Sequence, residues 1–193
     1  MLRLSVDGSF ENIGITVFDE DAVVYDLFID SKNTHSKILV TAFKDAFKLL
    51  SVDVSDIDEV FCSIGYGRYT SLRVVIATIK GMFFDRLEFV YAVNTLDLMA
   101  ASYMGSESIV RVLSYPFSKE VYFADYNIGL NGIERISEIE KCSEEEIASY
   151  GKFMIAPYKN SYSCKVLPQT RNVVKLGYDY FKKVKLFDLS PLY

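Results

Sequence analysis

Hydrophobic positions alternate from Leu2 to Val6, stop at Asp7-Gly8-Ser9 and resume from Ile13 to Phe18. A period of two, broken by turn residues, predicts a hairpin. A third alternating run, Ala22 to Ile29, follows Asp19-Glu20-Asp21 and extends the hairpin to an antiparallel meander. From Thr34 to Ser51 the period becomes helical. Leu39, Phe43, Phe47 and Leu50, joined by Ile38, Ala42 and Ala46, line one side; Lys37, Thr41, Lys44 and Lys48 line the other. His35 stands one turn before Leu39, at the head of the stripe, where a packed or hydrogen-bonded histidine is expected.

Glu59 to Ile64 reads as a buried strand running into Gly65-Tyr66-Gly67. The helix after it, 71–84, is apolar on nearly all sides. Leu72, Ile76, Ile79 and Phe83 form one face, Val75 and Met82 widen it, Val74 and Ala77 extend it, and only Arg73, Thr78 and Lys80 interrupt. Such a helix needs cover on two sides: a sheet on one, and a neighbouring helix or a second protein on the other. A strand at Leu87 to Ala92 and a helix from Asn94-Thr95 to Met104 complete a βαβα pattern, which implies parallel pairing.

The later half predicts a hairpin from Ser106 to Ser114 and Glu120 to Asn127, linked by residues 115–119, and a turn at Asn131-Gly132. Ser143-Glu144-Glu145-Glu146 opens a short helix with acids at its positive end. Phe153 to Ala156 is a strand. Thr170 to Lys183 reads as the last helix, with Val173, Val174, Tyr178 and Phe181 inward, and Leu186 to Leu189 as a short strand. The fold class is therefore α/β: a mixed sheet with helices in lobe 1–104, and a smaller lobe in 105–193.

Composition narrows the function. Half of the 193 residues are hydrophobic, enough for a core. No run approaches the ~18 apolar residues of a membrane helix, and the first residues have no signal-peptide layout. A net charge of −5 argues against binding nucleic acid through the chain's own charge. Lys182-Lys183-Val184-Lys185 reads as a solvated helix end. Cys62, Cys142 and Cys164 are too widely spaced for a metal or redox motif, so a reduced, cytoplasmic protein is expected. The single histidine cannot supply a zinc–histidine site.

Two turns carry candidate chemistry. The Asp7 carboxylate and Ser9 hydroxyl in a tight hairpin can hold a phosphate through Mg²⁺ or backbone amides; the same residues also make an ordinary Asx-type turn. Gly65 and Gly67, followed by Thr70 as an N-cap contributing ~1 kcal/mol, form a strand–glycine turn–helix unit of the kind that holds anions.

In Gly65-Tyr66-Gly67-Arg68-Tyr69-Thr70-Ser71-Leu72-Arg73, with Lys80-Gly81 downstream, the chain resembles the TsaB (YeaZ) family, whose run is Gly-Pro-Gly-Ser-Phe-Thr-Gly-x-Arg before a helix with Lys-Gly. The resemblance continues through Asp7-Gly8-Ser9, His35-Ser36, Asn94-Thr95-Leu96, Glu120-Val121-Tyr122 and Pro191-Leu192-Tyr193, in family order and from end to end. Tyr66, Arg68 and Ser71 depart from the family's proline, serine and glycine, and Tyr115-Pro116-Phe117 replaces its Asp-Ala-Arg. Family members usually continue beyond this length.

The resemblance implies an actin-like/Hsp70-like ATPase (ribonuclease H-like) fold in two lobes and a non-catalytic subunit without cofactor or metal. It would bind a TsaD-like catalytic subunit, with a TsaE-like ATPase joining, for threonylcarbamoyl transfer to adenosine of tRNA, which the chain itself meets only indirectly. The implied partner interface lies on the first two helices: His35, Ile38, Leu39, Ala42, Phe43, Ala46 and Phe47, then Leu72, Arg73, Val75, Ile76, Ile79, Lys80 and Phe83. A homodimer through the same helices is the variant. The alternative function is an ATP-dependent phosphotransferase with Asp7, Gly8, Ser9, Gly65, Gly67 and Thr70 around the phosphates and Arg73 nearby; the missing second Asp-x-Gly loop argues against it. A metallopeptidase would need a ligand cluster that the sequence does not offer.

Overall fold

The computed structural model describes residues 1–30, 35–117, 120–149, 153–157 and 163–192. Thr34, the expected start of the first helix, and Tyr193 lie outside them. Strands β1 (Leu2–Asp7), β2 (Asn12–Asp19) and β3 (Ala22–Asp30) form the predicted antiparallel meander. Helix α1 (His35–Leu50) leads to β4 (Ile57–Gly65), which lies parallel to β1. Helix α2 (Tyr69–Phe83) then crosses to β5 (Phe89–Asn94), parallel to β4.

Alternation sorts the side chains of this sheet. Leu4, Val6, Ile13, Ile15, Val60 and Cys62 meet α1 and α2 on one face, while Phe18, Phe61 and Val93 point to the other. Helix α3 (Thr95–Ala101) covers that second face, and all of its residues are buried. It lies between two sheets. Leu98 and Ala101 pack with the first sheet; Leu96, Met99 and Ala100 pack with Val110, Val112, Ala124 and Tyr126 of the second.

The second sheet contains β6 (Ser108–Phe117), β7 (Glu120–Ile128), β8 (Ile133–Arg135), β9 (Glu140–Ser143), β10 (Met154–Ala156) and β11 (Cys164–Lys165). β6 and β7 are the predicted hairpin; β10 runs parallel to β6, and β8 and β9 both pair with β7. The acidic helix start is α4 (Glu144–Ala148), where Ser143 and Glu146 cap each other.

The end of the chain departs from the sequence pattern. The expected helix 170–183 is two 3-10 turns, Thr170–Lys175 and Tyr178–Tyr180, followed by β12 (Phe181–Lys185). Gly177 separates the turns, and Phe181 and Val184, three apart as on a helix, face opposite sides of the sheet. Tyr178, expected inward, is 49% exposed. β12 pairs antiparallel with β5 at the edge of the first sheet, in the order β12-β5-β4-β1-β2-β3. The chain thus returns to the first sheet at Phe181–Lys185, which the expected division into 1–104 and 105–193 does not provide for. The four-residue basic run is an edge strand, not a helix end, and its lysines discourage further strand addition.

Beyond β12 the chain makes another 3-10 turn, Leu186–Asp188, in place of the expected strand. Leu186 and Leu189 bury in the α1–α2 core, Lys80 Nζ donates to Phe187 O at 2.7 Å, and Leu192 N donates to Ile64 O at 2.7 Å. This terminal strap, with α1 and the sheet, covers α2. The second layer of cover comes from the chain itself.

Candidate functional site

The β1–β2 turn brings Asp7 to the C-terminal end of the parallel strands, beside the start of α3. Asp7 is fully buried. Ser9 Oγ donates to its Oδ1 at 2.5 Å, Ser63 Oγ donates to the same oxygen, and Asn12 Nδ2 donates to Oδ2 at 2.9 Å. Ser9 N completes an Asx-type turn on Oδ2 at 3.3 Å. With the Ser9 hydroxyl proton directed at Asp7, Thr95 Oγ1 donates to Ser9 Oγ, 2.8 Å away. Burial pushes the Asp7 carboxyl above its ordinary range, and the bonds from Ser63, Ser9 and Asn12 pull partly back. Among the described residues no Lys or Arg contacts it. Ser63 and Asn12 were not singled out from sequence, and Thr95 stood out only in Asn94-Thr95-Leu96 at a helix start; the one signal for Ser63 was a serine inside the apolar run Val60 to Ile64.

The glycine turn closes on this cluster. Gly65 has φ +123°, open to glycine at little cost. A Cβ on Gly67 would lie 2.5 Å from Ser9 O, and Arg68 N donates to the same oxygen at 2.6 Å. A Cβ on Gly8 would meet Val75 at 2.6 Å and His35 at 3.2 Å. The glycines thus permit chain-to-chain contact: the inner side of the turn is filled by Ser9, and the hairpin tip rests on α1 and α2. His35 is buried with Nε2 2.9 Å from Asn12 O, a packed histidine as expected. Thr70 is exposed and does not cap. The helix begins at Tyr69 with Arg68 in the cap position and no side-chain cap bond.

Of the residues that depart from the family run, Tyr66 ties the lobes together and Arg68 ties the turn to the β1–β2 hairpin. The Tyr66 ring stacks on Tyr122 of β7 with centroids 4.4 Å apart, and Ser114 Oγ of β6 donates to Tyr66 O at 2.6 Å. Arg68 pairs with Glu11 at 2.8 Å. From sequence Tyr66 and Arg68 stood out only as departures from the family run; the clasp that Tyr66 makes was not foreseen.

The helix pair presents a different surface from the one expected. His35, Leu39, Ala42, Phe43, Ala46 and Phe47 of α1, and Leu72, Val75, Ile76, Ile79 and Phe83 of α2, are buried in the lobe's own core. Ile38 and Lys80 are half-buried, and Arg73 alone of the expected set is exposed. The apolar stripe of each helix is covered by the sheet, the other helix and the strap, so it cannot also meet a partner while the lobe stays folded. The outward face is Lys37, Val40, Thr41, Lys44 and Lys48 on α1 with Thr70, Arg73, Ala77 and Gly81 on α2. Arg73 lies over the Tyr69 ring at 4.4 Å, and a Cβ on Gly81 would meet nothing within 4 Å. At the far end of α2, Phe84, Leu87 and Phe187 line a 520 Å³ concavity edged by Asp85, Arg86, Glu88, Lys185 and Asp188.

Two further buried polar pairs sit away from these turns. Arg111 of β6 grips Asp125 of β7 with both arms, at 2.6 and 2.9 Å, and Tyr126 OH donates to Asp97 Oδ1 at 2.7 Å. The first joins neighbouring strands of the second sheet; the second ties that sheet to α3. No described helix is long and apolar enough to cross a membrane, and among the described residues no group of three or more His, Cys, Asp or Glu could hold a metal ion.

The model of the tRNA N6-adenosine threonylcarbamoyltransferase (TsaD) family matches residues 30–174. The chain belongs to this family. No match to a curated protein is found. Among solved structures, YeaZ from Pseudomonas aeruginosa superposes with a TM-score of 0.81 at 18% identity, over 100% of this chain and 99% of that one. A protein described as similar to peptidase YeaZ from Pseudomonas aeruginosa superposes with a TM-score of 0.82 at 18% identity, over 100% and 98% of the two chains. This TsaD-family chain therefore has the YeaZ fold throughout, as its motifs implied.

Proposed function

We propose that this TsaD-family chain is a TsaB-like, non-catalytic scaffold that docks a TsaD-like subunit through the outward face of α1 and α2. A TsaE-like ATPase would join the assembly for threonylcarbamoyl transfer to adenosine of tRNA. One observation carries the reading: the two turns that could grip a phosphate are filled from within the chain. Asp7 is saturated by Ser9, Ser63 and Asn12, and Ser9 fills the glycine turn. On the outward helix face Lys37, Lys44 and Lys48 are exposed and, among the described residues, form no ion pair. The single histidine also leaves the chain without a two-histidine metal site.

Mixing the chain with the TsaD-like subunit of the same organism tests the proposal. One heterodimer should elute, and threonylcarbamoyl transfer to unmodified tRNA should depend on adding the chain. Separate elution, with transfer unaffected by the chain, would contradict it. Nucleotide hydrolysis by the isolated chain would favour the phosphotransferase alternative.

A further inference from the structure

The helix pair differs in charge from the rest of the molecule. Within 35–50 and 69–83 the chain carries Lys37, Lys44, Lys48, Arg73 and Lys80 against a single acid, Asp45, a balance of +4. The whole chain is −5, so the remainder is −9. The charges also point one way. Lys37, Lys44, Lys48 and Arg73 are all exposed on the side facing away from the sheet. Among the described residues none of Lys37, Lys44 and Lys48 is within ion-pair distance of an acid.

We infer that the outward α1–α2 face is built to take an acidic protein surface and to reject a second copy of this chain. The inference rests on the docking role proposed above and specifies the partner's chemistry. A symmetric dimer through this face would press two +4 surfaces together. Like charges across an interface cost several kcal/mol and suppress wrong partners, so the face carries a repulsive element against self-pairing. An acidic partner reverses the sign, gaining attraction at contact and faster encounter. A protein is favoured over a nucleic acid by what lies between the charges. Val40, half-buried Val74, Ala77 and Gly81 form a low apolar strip flanked by lysines, the layout of an apolar interface centre with a charged rim. Ala77 and Gly81 leave room for a close-packed helix. The exposed aromatic on this face, Tyr69, has Arg73 over its ring rather than a ring face open to a base.

The test compares three forms: wild type, Lys37→Glu/Lys44→Glu/Lys48→Glu, and Lys182→Glu/Lys183→Glu/Lys185→Glu on β12, which changes net charge equally at another place. Each is measured alone by sedimentation and against the TsaD-like subunit at about 50 mM and about 500 mM salt. Wild type alone should be monomeric at low salt. Its affinity for the partner should fall about tenfold or more across the salt range. The α1 variant should lose at least about a hundredfold with an unchanged melting temperature, and the β12 variant should match wild type. Partner affinity that is flat in salt and equal in all three forms would overturn the inference and leave the docking role intact. A wild-type homodimer that the α1 variant dissociates would overturn the rejection of a second copy. Tight binding of unmodified tRNA by the isolated chain, lost in the α1 variant, would assign the face to nucleic acid instead. Absence of any complex with the partner would overturn the docking role together with its acidic occupant.

Discussion

The glycine turn and the outward face of α2 are joined in sequence and opposite in state. At the turn the contacts are internal: Ser9 O takes Arg68 N, Tyr66 O takes Ser114 Oγ, and the Tyr66 ring meets Tyr122. A few residues on, Ala77 and Gly81 are exposed, and Lys44 and Lys48 stand on the neighbouring helix. The difference separates holding from meeting. In this chain a turn that resembles a phosphate cradle works as a joint, and the surface proposed for a partner is the one the joint presents.

The comparison breaks most sharply at Ala77. Ala77→Arg places bulk on the outward face without changing its charge sign and touches no buried group. It should weaken the complex with the TsaD-like subunit by more than about a hundredfold, ~3 kcal/mol, while stability moves by no more than ~0.5 kcal/mol. Titration of the partner, with a thermal melt beside it, measures both.

On the joint side the largest effect belongs to Gly67→Ala. The new methyl would sit 2.5 Å from a backbone oxygen, so either the hairpin tip or the turn must move, and ~3 kcal/mol of stability should be lost. A denaturation midpoint that does not shift would show that the two turns are not locked together.

Asp7 gives a finer contrast. Asp7→Ala leaves Ser63, Ser9 and Asn12 without their acceptor and should cost ~2 kcal/mol. Asp7→Asn should cost under ~1 kcal/mol. Asn12 Oδ1 has no hydrogen-bond partner in the present arrangement, and rotating that amide presents an acceptor to the new NH₂ group. Equal losses in the two variants, measured by chemical denaturation, would contradict this account of the cluster. Tyr66→Ala, which removes the interlobe stack, should cost ~1 kcal/mol and leave partner affinity unchanged.

The smallest effect is on pH dependence. Burial raises both Asp7 and Asp97 above the ordinary carboxylate value. Between the unfolded value of ~3.9 and the raised folded values, the folded chain holds protons that the unfolded chain has released. These two groups therefore favour the fold at the acid end of that window, and their contribution falls as pH rises through it. Asp97→Asn should flatten its share of the slope, because Tyr126 OH can still donate to the amide oxygen. Denaturation midpoints taken across the window for wild type and variant would test the sign.

Much of the fold was legible from periodicity. The meander, α1, the βαβα unit and the 108–128 hairpin all follow from period-two and period-3.6 runs between turn residues. The last segment was not. Val173, Val174, Tyr178 and Phe181 are spaced as on a helix, but the β5 edge, some ninety residues earlier, draws Phe181–Lys185 into a strand and the stretch before it forms 3-10 turns. The helix buried on every side was also misplaced. Sequence singled out α2, but α2 keeps a polar-edged outer face, whereas α3 lies between two sheets, a position that Leu96-Asp97-Leu98-Met99 does not disclose. The candidate interface was read from the stripes that build the core, since strong amphipathicity marks the buried face and leaves the outward face weakly patterned. The buried cluster was half visible: Asp7 and Ser9 were found, but Ser63 and Thr95 reach them only through the packing of three elements.

The central claim is that the helix face meets the partner and the glycine turn only presents it. The most direct test is the affinity of the TsaD-like subunit for Ala77→Arg and Tyr66→Ala, measured side by side with wild type. The account predicts that Ala77→Arg abolishes binding at concentrations where wild type saturates, while Tyr66→Ala binds as wild type does. Full binding by Ala77→Arg together with loss of binding by Tyr66→Ala would contradict it and move the partner site to the cleft between the lobes.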